Sequence, residues 1–130
     1  AAARPTVDLA QMLPQAERPP PIDEQVLVGL THGDAAETRE LLDDFLASTQ
    51  ADLATLAAAR EAGDLPGVTR EAHKLKGAAR SIGAHELGEA ANALETAGRA
   101  QDAAHVPALA ADVETAMHRL VLWSDARWPR

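Results

Sequence analysis

The sequence has no cysteine and no tyrosine, and its aromatic residues amount to one phenylalanine and two tryptophans. Without cysteine there is neither a disulfide framework nor a thiol nucleophile, and nothing demands an oxidising compartment. Aromatics make up 2% of the chain against 46% hydrophobic residues, many of them alanine and leucine. That balance favours closely packed helices over sheet, so the fold class read from composition is all-α. Positive charge is also scarce, with 12 Lys and Arg against 20 acidic residues and a net charge of -8. A nucleic-acid partner is therefore not expected, because its phosphates need a basic face. No apolar run approaches the roughly 18 residues of a membrane span, and the N-terminus lacks a signal peptide's pattern. A cytoplasmic location without direct membrane contact is the expectation. Also missing are a G-x-S-x-G nucleophile elbow, a Walker A loop and a Gly-rich kinase loop, so no means of binding ATP is visible.

At 130 residues the chain has room for a single core. Residues 1–21 carry Pro5, Pro14 and Pro19 to Pro21 and read as a proline-rich linker or arm. Within it Val7, Leu9, Met12 and Leu13 could form one helical turn against the body of the protein. The start at Ala1-Ala2-Ala3, without methionine, suggests a piece of a longer protein.

Residues 22–126 read as a helical bundle and 127–130 as a C-terminal tail. Asp23 is placed to cap a short helix that Thr31-His32-Gly33 ends, and Asp34 to cap a long one carrying Leu41, Leu42, Phe45, Leu46, Thr49, Leu53 and Leu56 on one side. Gly63 terminates it. Asp64 caps the next helix, where Pro66 is tolerated in the first turn, and Gly83 ends it. A fourth helix bears Leu87, Ala90, Ala91 and Leu94 and stops near Gly98, and a fifth begins between Asp102 and Pro107. Short connections favour antiparallel neighbours, giving an up-down four-helix bundle with a short extra N-terminal helix.

The third of these helices holds the chemistry. Val68, Ala72, Leu75, Ala79 and Ile82 recur at spacings of four, three, four and three and form a core-facing stripe. His73 lies roughly 140° from its centre and so faces solvent, with Lys76 at the stripe's edge and Arg80 two turns along nearly the same line. Gly77 sits at i+4 from His73, where a side chain would crowd the imidazole, although glycine costs about 1 kcal/mol relative to alanine inside a helix. Two explanations stand. Either Gly77 ends the helix or admits a close neighbour, or it leaves the ring approachable. His85-Glu86-Leu87-Gly88-Glu89 starts like the zinc motif H-E-x-x-H but ends in Glu, which removes a ligand. Glu86 and Glu89 are ordinary first-turn acids, His32, His105 and His118 stand alone, and no metal site is expected.

The run His73-Lys74-Leu75-Lys76-Gly77-Ala78-Ala79, followed by Ile82-Gly83-Ala84 and Leu87, resembles the signature of histidine-containing phosphotransfer (Hpt) domains of bacterial phosphorelays. That signature reads His-x-Leu-Lys-Gly-small-small, then an aliphatic residue and Gly, then Leu. The resemblance implies that His73 is the phosphoacceptor, Lys76 a phosphate-supporting lysine and Gly77 the clearance position. A supporting role for Arg80 rests on the helical wheel alone. It further implies a phosphocarrier that is not itself an enzyme and exchanges a phosphoryl group with aspartates of receiver domains. The chain would need no cofactor of its own, with Mg²⁺ on the receiver, and would be a monomer as an isolated domain. Two other contexts fit the same residues: the relay arm of a hybrid sensor kinase, cytoplasmic even if its parent is membrane-anchored, and an unphosphorylated helical adaptor for receivers.

Overall fold

Three of the five helix starts are set by an aspartate that the sequence supplies locally. In the computed structural model, which describes residues 19–130, the Asp23 carboxylate accepts from Gln25 N at 2.9 Å and opens α1, Glu24–Thr31. Asp34 accepts from Glu37 N at 2.8 Å and opens α2, Ala35–Glu61. Asp64 accepts from Gly67 N at 3.0 Å and opens α3, Leu65–Ser81. Each bond satisfies an amide that has no acceptor inside its helix. α4, His85–Arg99, and α5, Val106–Arg127, start without a side-chain cap. The reversals use left-handed backbone at His32 and Gly33, at Gly63, at Gly83 and at Gln101. The proposed packing of Val7 to Leu13 lies outside the described residues.

The result is an all-α, up-down four-helix bundle, α2 to α5, with the short α1 across one end. Leu42, Phe45, Leu46 and Leu56 of α2 meet Val68, Ala72, Leu75 and Ala79 of α3, and Leu87, Ala91 and Leu94 of α4 meet Val113, Met117 and Leu120 of α5, all buried. Buried Arg39 joins the start of α2 to the end of α5, reaching Asp43, Asp125 and the carbonyls of Ser124 and Trp128. Arg130 also reaches Asp43, at 2.6 Å, so the last residues are tied to α2.

α1 covers the end where α3 turns into α4. Asp23 N donates to Gly83 O at 2.8 Å, and a side chain at Gly83 would strike Val26 Cβ at 2.8 Å, while its φ of +79° already favours glycine. Arg119 of α5 pairs at this end with Glu86 and the carbonyl of Pro19, and Pro21 and Ile22 are buried there. Glu86 is therefore more than a solvated first-turn acid. The opposite end, where α2 turns into α3 and α4 into α5, is left uncovered by α1, and the site opens toward it.

Candidate functional site

His73 sits midway along α3, flanked by the buried Ala72 and by Leu75 one position past Lys74, and its side chain is 63% exposed. The amphipathic stripe fixes that direction. The ring is not bare on both sides, because its Nδ1 lies 2.8 Å from Oε2 of Glu95 on α4. Glu95 comes from within the apolar stripe of α4, between Leu94 and Gly98, and its side chain is only 4% exposed. Lys76 Nζ stands 2.5 Å from its other oxygen, Oε1, and Arg99 reaches Oε2 with Nη2 at 2.7 Å and Nε at 3.1 Å. Burial on its own would raise the Glu95 carboxyl, but the hydrogen bonds from Lys76, Arg99 and His73 outweigh it and hold the group at about 2.

An ionised carboxylate can only accept, so His73 Nδ1 carries the proton and donates it to Oε2. In the neutral ring the lone pair is then on Nε2, the nitrogen not held by Glu95. The arrangement follows the general rule that a buried carboxylate orients an imidazole and fixes its tautomer.

Lys76 is thus brought to His73 through Glu95. Arg80 is not: it is exposed, it lies against Gly88 at the start of α4, and it makes no ion pair among the described residues. Lys74 turns to the other side, 3.2 Å from Asp52 and 3.3 Å from Glu71, and both acids raise its ammonium above the usual range.

The two glycines beside the site differ. A Cβ on Gly77 would meet nothing within 4 Å, and its φ is not positive, so neither close packing nor a turn accounts for it. α4 stops near Gly98, as its sequence indicates, with Gly98 in the last turn and pressed on α3, where a Cβ would collide with Thr69 Oγ1 and come within 3.2 Å of Thr69 Cβ. That closeness lets Glu95 reach across to His73. An open groove runs from His73 toward the uncovered end, floored by Leu65, Pro66 and Thr69 and edged by Arg70 and Arg99.

Sequence reasoning missed Glu95 and Arg99. The available signal was the placement of an acid on the inward stripe Leu87, Ala91, Leu94, Gly98, since an inward acid needs partners from elsewhere in the fold. Among the described residues no group of three or more His, Asp and Glu side chains is arranged to hold a metal ion, and no helix is long and apolar enough to cross a membrane.

The site is a solvent-facing histidine with its Nδ1 held by a buried carboxylate, on an up-down helical bundle. The Hpt domain family model matches residues 40–123, and the chain belongs to that family. It is 30% identical to the histidine-containing phosphotransfer protein B (HptB) of Pseudomonas aeruginosa PAO1, whose crystal structure superimposes with a TM-score of 0.74 over 83% of this chain and 95% of that one. No curated protein matches the sequence. Phosphotransfer in phosphorelay signalling, with receiver domains as partners, is the function this membership carries.

Proposed function

We propose that His73 takes a phosphoryl group from the aspartyl phosphate of one receiver domain and passes it to the aspartate of another. The observation that carries this reading is the 2.8 Å contact of Nδ1 with Glu95 on a ring otherwise open to solvent. The Nε2 lone pair attacks phosphorus in line as the bond from phosphorus to the aspartyl oxygen breaks, and the bonding pair leaves with the carboxylate. Nδ1 keeps its proton throughout. The ring becomes positive as the bond forms, and the Glu95 carboxylate is already opposite that charge, so no reorganisation is required when it appears.

Lys76 neutralises Glu95 and adds positive charge near the transferring group, and Arg80 adds a further charge along the helix. Mg²⁺ and the acceptor aspartate belong to the receiver, which clamps the phosphoryl oxygens. Gly77 leaves the space through which the receiver approaches Nε2. Return transfer follows the same path, so the direction depends on which receiver is phosphorylated.

The test is incubation with a phosphorylated receiver and, separately, with ATP alone. The chain gains an acid-labile, alkali-stable label from the receiver and none from ATP, and His73→Gln abolishes the label with helicity unchanged. Label persisting on His73→Gln would refute the assignment.

A further inference from the structure

Two cations reach Glu95, and they cannot leave it on equal terms. Lys76 Nζ meets Oε1, an oxygen withdrawn from solvent that receives no directed hydrogen bond from any described residue, so the ammonium is its counter-charge through an ion pair. Its side chain is 18% exposed. Were Lys76 to swing outward, a buried carboxylate oxygen would lose its counter-charge, which is heavily unfavourable. Arg99 meets Oε2, which also accepts from His73 Nδ1, so its departure strands nothing. Arg99 is 63% exposed, and an ion pair that open to water is weak.

Arg99 is also in position to move. Its Nη2 and the His73 Nδ1 both lie within 2.8 Å of the same oxygen atom, and the two side chains edge the same groove. Its planar fork matches a phosphoryl group's oxygens with two parallel bonds, which an ammonium cannot do.

We propose that Arg99 is the cation that turns from Glu95 to the phosphoryl group once His73 carries it, while Lys76 stays on the buried carboxylate. This rests on His73 as the acceptor. It gives the direct contact with the phosphoryl oxygens to α4 and leaves the lysine of the α3 motif to hold the carboxylate that orients the ring. Arg99 thereby sets how long the phosphohistidine survives hydrolysis.

The experiment phosphorylates the full chain with phosphoramidate, a small donor that needs no receiver, and follows decay of the nitrogen-bound phosphorus signal by NMR. Arg99→Ala shortens the half-life about tenfold, the loss of one charge-assisted contact, and Arg99→Lys restores part of it. In ¹⁵N spectra the Arg99 Nε resonance shifts on phosphorylation and the Lys76 Nζ resonance does not. An Arg99→Ala half-life equal to that of the unaltered chain, or a shift at Lys76 with Arg99 unmoved, overturns the proposal while leaving His73 as acceptor. An unaltered chain that takes no label, or a His73→Gln chain that takes it, overturns the acceptor reading and this proposal together.

Discussion

Replacing Glu95 by glutamine removes one charge and almost no volume, which isolates the electrostatics of the site from its packing. The carboxyl is held at about 2 against an ordinary 4.5, and a depressed acid stabilises the fold above its unfolded value and loses that contribution as pH falls through its folded value. The window is therefore pH 4.5 down to 2, with the stabilisation complete at pH 7. That depression corresponds to roughly 3 kcal/mol, and screening of the exposed partners His73 and Arg99 brings this to about 2 kcal/mol. Glu95→Gln should accordingly lower the melting temperature at pH 7 by roughly 5–10 °C for a domain of this size. The sharper measurement is urea unfolding of both chains at pH 7, 4 and 2.5. Other carboxylates titrate in both proteins and cancel, so the stability gap between the two should shrink by most of its value on acidification. A gap that is the same at pH 7 and pH 2.5 would show that Glu95 is not the strongly depressed acid, and with it the argument for a fixed His73 tautomer would fall.

Gly77→Ala should stabilise the domain by up to about 1 kcal/mol, because the added methyl meets nothing and alanine loses less backbone freedom on folding. Receiver-to-His73 transfer should nevertheless slow, and slow far more in Gly77→Leu; a leucine variant that folds and transfers at the original rate would remove steric access as the reason for this glycine. Gly98→Ala should instead destabilise by about 1–3 kcal/mol, since its methyl is driven into Thr69 and α4 must move off α3. Thermal unfolding of the two alanine variants side by side should give opposite signs. Arg39→Met should cost about 1–3 kcal/mol in denaturant unfolding, because it leaves the carbonyls of Ser124 and Trp128 without their donor while Asp43 keeps Arg130.

The sequence by itself determined the helices and the direction of His73. Asp23, Asp34 and Asp64 cap as their positions indicate, and the stripe from Val68 to Ile82 is buried. Both are local properties, because a cap bonds an amide two or three residues away and a helical stripe repeats every turn. The family signature is legible for the same reason, since His73, Lys76 and Gly77 share one helix. Tertiary structure alone decided what those residues meet. Glu95 is 22 residues from His73 on another helix, and its arrival depends on how closely and in what register α4 lies on α3, which Gly98 and Thr69 settle by contact. The same packing placed Lys76 on Glu95, took Arg80 to Gly88 and brought Arg99 to the edge of the groove. It also separated two helical glycines that look alike in sequence, because whether a missing side chain leaves open space or a close approach depends on the neighbouring helix and not on the residues beside it in the chain.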